Sequence, residues 1–373
     1  MVGVAVVGFG WMGRVHTQAY ARVPHHYPDA PPTRLLAVAD DVPGRAEAAA
    51  GRYGFEGFTL DWRELVDDPR IGAVSITVPN FLHRDVGSAF AAAGKHIWIE
   101  KPVGLTADDA RAIVGPGQVT VGFNYRNAPA VEKAREIVRT GGIGEVTHAR
   151  FRFFSDYAAH PDGALSWRFQ RDRGGNGVLG DLGAHGVDLV RYLLGEIDAL
   201  VADTATFIPE RPRPTAATAG HERATGEPGP VENEDYFGAL LRMASGAKVV
   251  LEASRVAVTD QNNYGFEIHG TRGALSWDFR RMGELAAGTG SSYQDEPVRT
   301  LFVGPSDGEY GAFQPGAGTA MSYDDLKVIE AYRFLRSISD GTPRGATLAD
   351  AVRSAEALDA MTRSAETGAW IKL

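Results

Sequence analysis

Two side chains spaced for chemistry stand in the glycine-rich run Gly174-Gly175-Asn176-Gly177-Val178-Leu179-Gly180-Asp181-Leu182-Gly183-Ala184-His185. From Val178 the apolar residues recur at helical spacing through Leu194, so Asp181 and His185, four apart, share one helix face. An imidazole titrates near neutral pH and can take the proton of a substrate hydroxyl. A carboxylate on the same face can bind a neighbouring hydroxyl or fix the ring. Gly180, Gly183 and Gly186 each cost a helix about 1 kcal/mol relative to Ala, which makes sense where another backbone or a flat ring approaches closely. Lys101 is the third candidate. In Trp98-Ile99-Glu100-Lys101-Pro102 the proline holds it extended, aimed at the mouth of a parallel sheet, where an ammonium can orient a hydroxyl and stabilise a developing alkoxide. A metal is the rival use of Asp181 and His185. The chain has no cysteine and no third ligand at zinc-like spacing, so none is expected.

The elements that must position these groups fall into two textures. Strands are expected at Val2–Gly8, Arg34–Ala39, Ala73–Val78, His96–Ile99 and Gln118–Phe123, several of them apolar throughout, as in a parallel sheet covered on both faces. Ala-rich helical stretches at Pro43–Tyr53, Asp85–Ala93 and Thr106–Val114 alternate with them, which predicts a doubly wound α/β Rossmann domain over residues 1–126. Beyond it a helix, Pro129–Thr140, leads into a long strand, Glu145–Phe154. The runs Tyr236–Met243, Ala247–Val258, Tyr264–His269 and Ala274–Phe279 follow, with hairpin turns at Ser245-Gly246 and Thr271-Arg272-Gly273. Residues 127–373 therefore read as an α+β domain with an open, mostly antiparallel sheet. Of the closing helices Asp324–Ser339 and Thr347–Glu366, the second is free to pack on either domain. Pro209 to Pro230 reads as a mobile surface loop.

Gly8-Phe9-Gly10-Trp11-Met12-Gly13 is a G-x-G-x-x-G between the first strand and a helix, Trp11–Tyr20. The glycines permit a tight turn, close approach of a pyrophosphate and helix–strand packing, and the helix N-terminus attracts phosphate. Asp40, ending the second strand, would accept from a ribose 2′-hydroxyl and repel a 2′-phosphate, so NAD is expected over NADP. No basic residue follows it until Arg45. Asp40 lies further from Gly13 than the usual ~20 residues, an excess assigned to a surface insertion, Pro24–Thr33. Thr77, Pro79, Asn80 and His83 follow the strand Ala73–Val78 and are expected to line the ligand crevice, with His83 alternatively facing solvent or adenine.

A net charge of −9 argues against nucleic acid and anionic membrane as partners. The absence of cysteine excludes disulfides, thiol nucleophiles and cysteine-ligated metals. The apolar start MVGVAVVGFGWMG lacks a basic leader and is broken by Arg14 and His16, so it does not read as a secretion signal. No stretch reaches the ~18 apolar residues of a membrane span. A cytoplasmic protein is expected.

Taken in order, GFGWMG, AVAD, TVPNFLH, EKP, GFNYR and GDLGAH resemble the glucose–fructose oxidoreductase / inositol dehydrogenase (Gfo/Idh/MocA) family over essentially the whole chain, on its sugar or inositol dehydrogenase side. The resemblance implies that Lys101, Asp181 and His185 form a catalytic trio with His185 as acid/base, and that the peptide before Pro102 is often cis. It implies that Glu100 and Asn124 meet the cofactor, Tyr125 and Arg126 the substrate, and that the open sheet serves a homo-oligomer, dimer or tetramer. Trp167-Arg168 and Glu252-Ala253-Ser254-Arg255 look like the branch acting on pyranose sugars, with Tyr157, Arg168 and Asn176 as candidate contacts to sugar hydroxyls. The expected activity is NAD-dependent oxidation of a secondary hydroxyl on an inositol, anhydrosugar or glycoside to a ketone. The rivals are an imine or enoyl reductase, a dinucleotide-binding regulator without catalysis, and an enzyme that retains NAD while acting on glycosides.

Overall fold

The computed structural model describes residues 1–214, 222–290 and 292–373. They divide into two compact units, Met1–Asn124 with Ser322–Ala355, and Tyr125–Met321 with Glu356–Leu373.

The first unit holds six strands, β1 (Val2–Val7), β2 (Thr33–Ala39), β3 (Gly57–Thr59), β4 (Ala73–Ile76), β5 (His96–Ile99) and β6 (Val119–Val121). All pair in parallel, in the order β3-β2-β1-β4-β5-β6. The order reverses between β1 and β4, which puts the ligand crevice of such a sheet at their carboxyl ends. Val4 to Val7 and all of β4 are buried, so these strands show no alternation because both faces are covered. Each fully buried Val or Ile contributes roughly 1.5–3 kcal/mol. β3 escaped the sequence reading because its one large apolar residue, Phe58, is 49% exposed.

Two expectations change here. The first helix runs Trp11–His26, straight through Pro24, so the surface insertion starts only after it. Tyr20 and Val23, each 1% exposed, anchor its last turns, and a proline that close to the end forfeits little hydrogen bonding. The segment 322–355, assigned from sequence to the second domain, belongs to the first unit. Its helix, Tyr323–Asp340, opens on a capping box between Ser322 and Asp325. It buries Leu326, Val328, Ile329, Ala331, Phe334 and Leu335 completely, with Phe334 against Trp98. Further on, the Val121 N–H donates to the Ala346 carbonyl at 2.9 Å. The helix Leu348–Thr367 is divided between the two units.

The second unit is built on a mixed sheet of nine strands. Its members are β7 (Val146–Phe154), β8 (Ile197–Ala205), β11 (Tyr236–Met243), β12 (Lys248–Ser254), β13 (Asn263–Gly270), β14 (Gly273–Asp278), β15 (Glu284–Thr289), β16 (Arg299–Phe302) and β17 (Ile371–Lys372), in the order β16-β15-β14-β13-β7-β12-β11-β8-β17. Among the described residues of this sheet, β7 and β12 alone pair in parallel. Alternate residues of the central strands, Phe151 and Phe153, Phe237, Ala239 and Leu241, Val249 and Leu251, make the buried face. The helix Ala184–Leu194 lies on that face. A Cβ on Gly183 would come 2.9 Å from the Phe237 ring, and one on Gly186 2.6 Å from Leu251. These two glycines therefore admit the sheet's side chains, not the flat ring considered from sequence. In the Pro209–Pro230 stretch, residues 215–221 lie outside the described residues, while its ends pair as β9 (Glu210–Pro212) and β10 (Pro228–Pro230). No helix among the described residues is long and apolar enough to cross a membrane.

Candidate active site

The dinucleotide loop is shaped by the three glycines in different ways. Gly8 has φ +86, and a Cβ there would sit 2.8 Å from the Thr77–Val78 peptide; one on Gly13 would lie 2.3 Å from the Gly8 carbonyl oxygen. Around the Cβ position of Gly10 there is nothing within 4 Å, and the helix that starts there has no side-chain cap and no acid in its first turn. That open cradle at a positive helix end fits a pyrophosphate. Gly13→Ala is expected to lower NADH affinity at least tenfold and to cost about 1–3 kcal/mol of stability, since only backbone can give way; NADH fluorescence titration and thermal melting measure both.

Several expected cofactor residues act one step removed. Thr77 donates its hydroxyl to the Gly8 carbonyl at 2.5 Å and so braces the loop. The Phe9 ring is core, packed with Tyr53 and Phe55, and its N–H donates to Asp40 Oδ2 at 2.7 Å. Asp40 also accepts from the Val42 N–H at 3.0 Å and from Arg45 at 3.2 Å. It therefore ties the glycine loop to the end of β2 and carries a guanidinium, a partner the sequence reading named only as the next base along. Trp11 stacks on Tyr323 at 5.4 Å, and the Tyr323 hydroxyl reaches Met12 Sδ. Pro79 and Asn80 open the turn Asn80–Leu82, each half-buried.

His83 faces neither solvent nor a crevice: it is 1% exposed, with Nε2 2.8 Å from the Val78 carbonyl oxygen and Nδ1 2.8 Å from that of Pro102. It brackets the two loops at the carboxyl ends of β4 and β5, because an isolated buried imidazole needs such partners. Burial pushes its pKa down. Glu100 is also turned inward, 6% exposed, toward His16 and Lys327, so its carboxylate is committed to partners within the protein. Lys101 follows β5, half-buried, and the Lys101–Pro102 peptide is cis. Asn124, fully buried, has neither its amide nitrogen nor its oxygen hydrogen-bonded. A buried pair of unmet groups of this kind costs about 1–3 kcal/mol each and fits a ligand that both donates and accepts. His16, Glu100 and Glu330 have the spacing of a metal site, but the Lys327 ammonium bonds both carboxylates and supplies the cation there.

In the second unit Asp181 lies in a π-helical turn, Leu179–Gly183, which opens into the α-helix bearing His185. Such turns are frequent at functional sites. It is held from the segment 233–235: the Val178 N–H donates to the Glu234 carbonyl, the Leu179 N–H to Glu234 Oε1, and Asn233 reaches the Arg168 and Gly175 carbonyls. Arg255, buried with Asp235, clamps that segment at 2.8 Å. The Tyr157 hydroxyl donates to Asp181 Oδ2 at 2.6 Å. Burial first, and then the Asp181 charge, push the Tyr157 phenol well above its usual pKa, so it remains a donor. His185 is 7% exposed; the Tyr125 ring meets it edge-on at 4.7 Å, and the Tyr264 hydroxyl donates to its carbonyl at 2.8 Å.

The remaining candidate sugar contacts are engaged within this unit. Tyr125 is 6% exposed among His185, Phe153, Tyr264 and Phe279. Arg126 forms a buried two-pronged ion pair with Asp188, at 2.8 and 2.5 Å, as the cost of burying a lone guanidinium demands. Asn176 Oδ1 accepts from the Thr362 hydroxyl at 3.1 Å. Arg168, half-buried, lies over the Trp167 ring. The role of Tyr157 beside Asp181 had no local signal, since the two are 24 residues apart.

Residues 2–115 match the oxidoreductase family with an NAD-binding Rossmann fold, and residues 131–276 match the GFO/IDH/MocA C-terminal domain. The chain belongs to the GFO/IDH/MocA family of NAD-dependent oxidoreductases. It is 37% identical to the levoglucosan dehydrogenase of Pseudarthrobacter phenanthrenivorans, over 99% of this chain and 97% of that protein. It is 32% identical to the inositol 2-dehydrogenase of Rhizobium meliloti, over 81% of this chain and 83% of that one. A solved levoglucosan dehydrogenase in complex with NADH and levoglucosan superposes with a TM-score of 0.93 at 35% identity, covering 100% of this chain and 99% of that one.

Proposed function

We propose that this enzyme oxidises a secondary hydroxyl of a pyranose-type sugar, with an anhydrosugar of the levoglucosan kind as first candidate, and that Lys101, Asp181 and His185 carry the reaction. The observation that carries the reading is the Tyr157–Asp181 hydrogen bond in a π turn directly ahead of His185. NAD, when bound, supplies the hydride acceptor. Lys101 orients the reacting hydroxyl and stabilises the alkoxide, and the His185 imidazole takes its proton. Asp181, which accepts from the Tyr157 hydroxyl, binds a hydroxyl adjacent to the reacting one, which favours a ring bearing neighbouring hydroxyls. Gly8, Gly10 and Gly13 with the first helix turn hold the pyrophosphate, Asp40 the adenosine ribose, and Asn124 a donor–acceptor group of the cofactor. The full-length likeness to levoglucosan dehydrogenase supports the choice of anhydrosugar.

Levoglucosan, the inositols, common aldoses and methyl glycosides, each tested with NAD and followed as NADH absorbance, decide among substrates. A pyranose turned over at least tenfold more efficiently than any inositol is expected; an inositol ranked first would overturn the assignment. We also propose a cytoplasmic enzyme whose second unit forms a dimer or tetramer through the outer sheet face. On that face Leu240, Val250 and Trp370 are 51%, 37% and 43% exposed. Light scattering that returns a monomer at micromolar concentration would remove this assembly.

A further inference from the structure

The most deeply buried charges of the first unit take no direct part in the proposed chemistry. Lys327 is completely buried, and its Nζ donates to Glu100 Oε1 at 2.5 Å and to Glu330 Oε1 at 2.9 Å. Trp98 Nε1–H donates to the same Glu330 oxygen at 2.7 Å. His16 Nε2 lies 2.9 Å from Glu100 Oε1, with its ring stacked on Trp98. Removing such ions from water costs several kcal/mol apiece, and apolar replacements are often as stable or more so. Stability alone is therefore a poor reason for the cluster.

Its other end shows a better one. Glu100 Oε2 accepts the N–H of Lys101 at 3.3 Å, and the carboxylate rests on Gly122, where a Cβ would lie 2.6 Å from Oε1. One carboxylate thus joins the dinucleotide helix through His16, the end of β5, and the helix Tyr323–Asp340 through Lys327. We propose that Lys327 is a positioning residue for Lys101, orienting the Glu100 carboxylate that fixes the Lys101 peptide at the mouth of the sheet. This rests on Lys101 taking part in the reaction.

The charges around Glu100 give the inference a signature. Burial lowers the His16 pKa to about 4, with Lys327 contributing, so the imidazole is neutral at working pH. Burial raises Glu330 to about 7. Burial alone would raise Glu100, but Lys327 and His16 outweigh it and hold it well below the usual carboxylate range. His83 on the helix after β4 also senses Glu100 and the Lys101 charge. Without the Lys327 charge, His16 becomes the cation available to Glu100. It binds a proton at low pH and loses it as the pH rises, leaving Glu100 unpaired.

In Lys327→Met, kcat with saturating NAD and levoglucosan, or the fastest sugar found, is expected to fall at least tenfold at pH 8. NADH affinity and sugar KM should stay within threefold. Relative to native enzyme, the variant's kcat should recover toward pH 6, and adding His16→Gln should abolish that recovery. Should Lys327→Met not fold, Lys327→Met with Glu100→Gln and Glu330→Gln removes all three charged side chains of the cluster; its kcat should stay at least tenfold down with a flat ratio across pH. Native-like kcat in whichever variant folds, or a deficit in Lys327→Met that ignores pH, overturns the proposal. Lys101→Met in the same series separates the two readings: if it retains turnover, it is the role of Lys101 that fails.

Discussion

Replacing His185 with alanine is expected to lower kcat by about two to four orders of magnitude, the usual contribution of a general base, while NADH binding is unchanged. The imidazole belongs to the second unit and the glycine loop to the first. The backbone at His185 has its own support, because the Tyr264 hydroxyl bonds its carbonyl whatever side chain is present. Truncation leaves a cavity lined by Tyr125 and Phe153, so a loss of about 1–2 kcal/mol in stability is expected as well. The residual activity should rise with pH, since hydroxide then replaces the lost base. NADH fluorescence titration with steady-state kinetics across pH measures both effects. Loss of NADH binding together with turnover would falsify the assigned role.

The second large effect concerns cofactor choice. In Asp40→Ser, the ratio of kcat/KM for NADP to that for NAD is expected to rise about a hundred- to a thousandfold, some 3–4 kcal/mol. Two changes combine. The carboxylate that pairs with a ribose hydroxyl and repels a 2′-phosphate is gone, and Arg45, now held at 3.2 Å from it, is released to meet that phosphate. Asp40 also receives the Phe9 and Val42 N–H groups, so the use of NAD should fall by more than one hydrogen bond's worth as the glycine loop loosens. Adding Arg45→Ala should cancel the gain with NADP without restoring NAD. An unchanged cofactor ratio in Asp40→Ser removes Asp40 from the ribose site.

The weight carried by Arg45 marks a boundary in what the chain discloses locally. The spacing of Gly8, Gly10 and Gly13 was legible because it falls directly between an apolar strand and a helix, while what each glycine makes room for was not: the Thr77–Val78 peptide at Gly8, open space at Gly10 and the Gly8 carbonyl at Gly13. Asp181 and His185 are proposed as a pair from sequence because four residues return an α-helix to the same face, whereas the structure sets Asp181 in a π turn ahead of the helix that bears His185. That π turn was not legible, because it depends on bonds from Glu234, more than fifty residues further along. Tyr157 was legible as a polar aromatic near the site, but its hydroxyl points at Asp181 only because the second sheet brings the two segments together.

The sequence by itself determined five of the six strands of the first unit, the dinucleotide loop and the family, and it nominated Lys101, Asp181 and His185 as side chains with chemistry to offer. Periodicity, capping and the position of a glycine loop between strand and helix act over a few residues and survive without context. The tertiary structure decided which polar groups are spent on the protein itself. Arg126 was drawn to Asp188, Asn176 to Thr362, His83 to two loop carbonyls, and Glu100 to a lysine 227 residues away. It also returned residues 322–355 to the first unit. Both outcomes have one cause. A buried charge or amide must find a partner or pay for its desolvation, and which partner is in reach is set by packing between distant segments.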